Sequence, residues 1–138
     1  MAAAITDVEK TAAEVGIDTV TINDDASTTG SELDRGADTD VMPVTVLLTI
    51  TGFAAAPDAG GYMKVALAPL DGTGGVLFDD TLGDAIVPVT ADALYKVPVS
   101  LTWYAGCRYV KVIVTNKSGQ HTDASAVSAE MRWQAGTL

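Results

Sequence analysis

One histidine limits what this chain can do by proton transfer. His121 lies in the polar stretch KSGQHTDAS, three residues after Ser118 and two before Asp123. A serine, a histidine and an aspartate are the parts of a nucleophilic triad. All three fall in one loop, with no strained turn to present the serine, so a solvated loop histidine is the expected role. The carboxylates cluster at Asp24–Asp25, at Asp79–Asp80 with Asp84, and at Asp34, Asp38 and Asp40. Loop carboxylates and carbonyls hold calcium in many β-proteins. None of these clusters matches the spaced pattern D-x-[DN]-x-[DN]-G, and Asp38–Thr39–Asp40 is only a fragment of it. A glycosidase-type acid pair needs an aromatic-lined cleft, and aromatic residues make up 6% of the chain.

Other chemistries lack their parts. One cysteine and one histidine make no zinc set. The glycines at 72–75 lack the G-K-[ST] ending of a phosphate cradle and do not open a helix. Cys107 is expected to be a small half-buried hydrophobe, and it has no disulfide partner within the chain. Trp103 and Trp133 could stack on a sugar, but both fall on the apolar phase of their segments and are expected in the core. No catalytic residue, cofactor or metal is assigned.

The elements that would position these residues are strands. The richest stretch is Leu94–Gly119, LYKVPVSLTWYAGCRYVKVIVTNKSG. Tyr95, Val97, Val99, Leu101 and Trp103 alternate on one limb. Val110, Val112 and Val114 alternate on the other, and the two limbs read as an antiparallel pair about an Ala105–Gly106 turn. The segments at 41–51 and 62–70 alternate likewise, as does VSAEMRW at 127–133. Pro43 and Pro98 suggest edges or strand ends, because proline cannot donate to a ladder. Shorter strands are read at 17–22 (IDTVTI), within 31–40 (SELDRGADTD, a short strand followed by a charged loop), at 75–80 and within 82–91; Asn23–Gly30 reads as turn throughout. Residues 1–16 are an arm or a short helix, with Ile5, Val8, Ala12 and Val15 at helix-like spacing. Residues 17–138 form a single all-β domain, a β-sandwich or jelly roll of about seven or eight strands.

Charge narrows the partners. The 138 residues carry a net −10. Residues 1–40 hold ten acids against Lys10 and Arg35, a net of −8; the remainder holds eight acids and six bases. Nucleic acid and anionic membrane surfaces call for the opposite sign, so neither is an expected partner. No basic n-region or apolar h-region opens the chain, and the uncharged run Val41–Pro57 is too short and broken to span a bilayer.

The order of strands and turns resembles small β-sandwich structural proteins of tailed bacteriophages. The matching pieces are Thr19–Ile22, Ser31–Asp34, Val44–Thr51, Met63–Gly75, Gly106–Asn116 and Val127–Trp133, spread over residues 17–134. The longer loop at 52–61 and the acidic residues 1–40 depart from that pattern. The resemblance implies a non-enzymatic virion protein, most like a head decoration (cement) protein on the capsid surface, made in the bacterial host cytoplasm. Its partner would be the major capsid protein, and self-association into trimers is implied as well. Alternatives are a tail or adsorption component and a carbohydrate-binding module.

Overall fold

A computed structural model describes residues 4–36, 44–70, 82–101 and 108–137. Nine strands and one helical turn lie in this order: β1 Ala4–Lys10, α1 Ala12–Val15, β2 Ser27–Thr29, β3 Leu33–Asp34, β4 Val44–Ile50, β5 Tyr62–Leu70, β6 Leu82–Pro88, β7 Tyr95–Leu101, β8 Tyr109–Lys117 and β9 Val127–Thr137. They form two antiparallel sheets, a β-sandwich as expected. One has the order β1-β9-β4-β7; the other has the order β2-β8-β5-β6, with β3 also on β8. Apart from the two-residue β3, every step along the chain crosses to the opposite sheet except β5 to β6. This is jelly-roll order.

That order overturns the antiparallel pair read at 94–119. β7 pairs with β4, Val46 facing Val99, whereas β8 pairs with β5, Val65 facing Val114. The two strands lie in opposite sheets instead of side by side. Alternation assigns a side chain to a face, and both strands do point their apolar face inward. It does not assign a neighbour. The Ala105–Gly106 turn lies outside the described residues.

The core fills the gap between the sheets. Val46, Leu48 and Ile50 from β4 meet Met63, Val65 and Leu67 from β5, Val110, Val112 and Val114 from β8, and Val127, Ala129 and Met131 from β9; all are buried. Each of these side chains apart from Ala129 contributes roughly 1.5–3 kcal/mol on leaving water. β4 is interior to its sheet, and Pro43 lies outside the described residues. Pro98 does mark an edge: it sits exposed in β7, opposite Leu47, on the sheet's outermost strand among the described residues.

The N-terminal segment is not a free arm. β1 pairs along its whole length with β9, Val8 opposite Trp133, and the helix is a single turn. Thr11 caps that turn: the Glu14 N–H donates to Thr11 Oγ1 at 3.3 Å and the Thr11 N–H donates back to Glu14 Oε1 at 3.2 Å. Gly16 ends it at φ +86°, where a Cβ would also stand 2.6 Å from the Ser31 nitrogen. IDTVTI is not a strand; only Val20 bridges, to Val127, and Thr19 takes φ +49°. β2 occupies the end of the stretch read as turn. The strand read at 75–80 lies outside the described residues.

Candidate functional site

Of the residues singled out for chemistry, Ser118, His121, Asp123, Asp24 and Asp25 lie at one pole of the sandwich, where β8 ends and the loops at 17–26, 52–61 and 117–126 converge. Ser118 is buried. Its Oγ donates to Asn116 Oδ1 at 2.6 Å and accepts the Gln120 N–H at 3.2 Å. His121 is exposed, and its Nδ1 accepts the Asp24 N–H at 2.9 Å. That acceptor role requires an unprotonated Nδ1, with the ring proton on Nε2. The Asp123 carboxylate lies against Gly52 instead, where a Cβ would stand 2.5 Å from Oδ2. No side-chain hydrogen bond links the three, so they are not assembled as a triad.

What organises the pole is Asn116, which carried no signal in the sequence. It is fully buried at the end of β8. Its Nδ2 donates to the carbonyls of Ile22 at 3.0 Å and Gln120 at 2.8 Å, while its Oδ1 accepts the N–H and the hydroxyl of Ser118. Its backbone accepts from the Asp25 N–H and donates to the Ala26 carbonyl. Buried Thr122 adds a second tie, its Oγ1 accepting the Ile22 N–H at 2.9 Å. Phe53 bridges Thr122 from the other side and packs edge-on against Tyr95, ring centroids 6.2 Å apart. A buried polar group without a partner costs about 1–3 kcal/mol, so a fully satisfied amide is worth more than its net bond energies suggest.

The acidic clusters divide. Asp25 pairs with Lys117, and with Asp24, Asp58 and Gly119 they line an open cleft of about 350 Å³ at this pole. Among the described residues, no group of three metal-ligating side chains comes together. Asp34 is clamped by Arg108, Nε to Oδ1 at 2.8 Å and Nη2 to Oδ2 at 3.1 Å. That guanidinium, with the Gly36 N–H behind it, holds the Asp34 carboxyl below the usual carboxylate range. Asp38, Asp40, Asp79, Asp80, Cys107, Trp103 and the glycines at 72–75 lie outside the described residues, as does the side chain of Asp84.

Trp133 is buried on the inner face of β9, as expected of a core residue. The equally buried Arg35 places its guanidinium 5.5 Å from the indole centroid. A tryptophan so placed offers no face to a sugar. No helix among the described residues is long and apolar enough to cross a membrane.

No protein-family model matches the chain, and no curated protein matches it. Solved structures do. Latent PorU from Porphyromonas gingivalis is similar over 99% of this chain, at 12% identity and a TM-score of 0.55; the chain spans 13% of PorU. The infectious bursal disease virus Gx strain structure is similar over 99% of this chain and 32% of its own, at 11% identity and a TM-score of 0.49. The tomato aspermy virus structure is similar at 15% identity, covering 99% of this chain and 78% of its own, with a TM-score of 0.38. At 12% identity the likeness to PorU is one of fold alone.

Proposed function

We propose that the protein is a non-enzymatic structural component of a virion, a capsid decoration protein that bridges and stabilises major capsid protein subunits from outside. The observation that carries this reading is how the described polar side chains are used. Asn116, Ser118, Thr122 and His121 each hold a loop in place. The result is a stiff body whose free features are sheet faces and strand edges, which suits adhesion better than turnover. The strand-and-turn pattern over residues 17–134 supports the phage assignment. Jelly rolls serve in viral capsid domains and lectin domains alike, so the fold by itself does not choose between them.

The mechanism would be additive. Many weak contacts repeated over a symmetric lattice stabilise it by mass action and multivalency, without any one contact being strong. Self-association on a lattice symmetry axis, as a trimer, belongs to the same proposal. Quantitative protein stoichiometry of purified particles tests it. A decoration protein is present at a fixed, high ratio to the major capsid protein. A few copies per particle would mean a tail component, and absence would end the virion reading.

A further inference from the structure

We propose that the outer edge of β1 accepts an extended, basic segment of a partner protein as an added strand of the sandwich. The inference does not depend on the virion reading. Among the described residues, β1 is hydrogen-bonded on one side only, to β9. Such an edge is a template for another strand, and proteins usually blunt it. The other edges here are blunted. β7 carries Pro98 at its centre, β6 ends in Pro88 and has a register irregularity against β5 between Val65 and Leu67, and β2 and β3 are three and two residues long. β1 has seven residues, no proline and no irregularity in its register.

The side chains select the occupant. Asp7 and Glu9 project exposed from the outer face of β1, while Val8 packs toward the core. Residues 4–36 hold eight acids and two bases. Lys10 pairs with Glu14 in the adjoining turn, and Arg35 is buried against Trp133. On β1 itself Glu9 meets Arg132 of β9 at 3.6 Å and Asp7 accepts from Gln134, both exposed contacts of the kind worth little in water, so the two carboxylates remain open to a second cation. A second copy is a poor occupant. In the antiparallel register that overlaps all seven residues Asp7 faces Asp7, and a shift of one pair toward the C-terminal end sets Asp7 against Glu9. Like charges directly opposite are destabilising. A strand with lysine or arginine at alternate positions instead meets Asp7 and Glu9 in turn. An open cleft of about 350 Å³ lies beside β1, its lining including Asp7 and Glu9 together with Val8, Arg132 and Trp133, so the alkyl stem of a lysine as well as its charge can be accommodated there.

The test uses the full chain and a seven-residue peptide alternating lysine and valine. The expected result is amide chemical-shift change confined to Thr6–Lys10 and their β9 partners, with amide exchange in β1 slowed at least tenfold. The same peptide N-methylated at every second residue should not bind, nor should a glutamate-for-lysine peptide. D7K/E9K, shown folded by an otherwise unchanged spectrum, should bind the lysine peptide at least tenfold more weakly. No binding at millimolar peptide would overturn the proposal. So would shifts elsewhere on the molecule, equal binding of the N-methylated peptide, undiminished binding by D7K/E9K, or a β1 edge already protected by dimerisation.

Discussion

The pole around Asn116 and the edge of β1 are both polar, yet they hold their polar groups on opposite terms. At the pole Asn116, Ser118 and Thr122 are buried and answered within the chain: one side-chain amide makes four hydrogen bonds. At the edge the carboxylates are exposed, and the backbone is paired on one side only. Burial sets the difference. A buried polar group must be paired or it costs free energy, whereas one facing water loses nothing by waiting for a partner. Substitution at the pole should therefore appear as lost stability, and substitution at the edge as lost association.

Asn116→Ala breaks the pole at its centre. It strands the Ser118 N–H and two loop carbonyls, and should cost on the order of 3 kcal/mol in urea unfolding with the unfolding slope unchanged. A loss below about 1 kcal/mol would mean that water replaces the amide and that the pole is not a tie. Asp34→Asn probes an intermediate case, a half-exposed clamp. Arg108 lowers the Asp34 pKa in the folded state, so its contribution is fully present above the unfolded value of about 4 and is lost as pH falls through the lower folded value. The variant should melt slightly earlier than the parent at pH 7, and the gap should close on acidification below about pH 4. A gap that persists in acid would assign the effect to packing. D7K/E9K should change stability least, within about 0.5 kcal/mol, despite reversing two charges. A larger loss would make the Asp7–Gln134 and Glu9–Arg132 contacts structural and erase the contrast with the pole.

The same distinction explains what the sequence disclosed. Faces were legible: Val127, Ala129, Met131 and Trp133 are buried as their alternation implies, and the β4 and β8 faces follow the same rule. Neighbours were not, because the partner of each β7 residue lies on β4, some fifty positions away, and nothing local encodes that distance. β1 was obscured for the same reason: its strand character comes from β9. β2 is polar, Ser-Thr-Thr, because it is a short edge strand and buries little. At the pole, Ser118, His121 and Asp123 drew attention by residue type. Asn116 did not, since an asparagine closing a valine-rich strand looks like an ordinary turn signal. Its role rests on the Ile22 carbonyl, which the fold brings within 3.0 Å across 94 residues.

Residue-resolved amide hydrogen exchange on the free protein tests the contrast most directly. The account predicts slow exchange at Ile22, Asn116 and Ser118, whose N–H groups are held at the pole. Along β1 it predicts alternation, since successive N–H groups point toward β9 and toward the open edge. Fast exchange at the pole, or uniform protection from one end of β1 to the other, would contradict it.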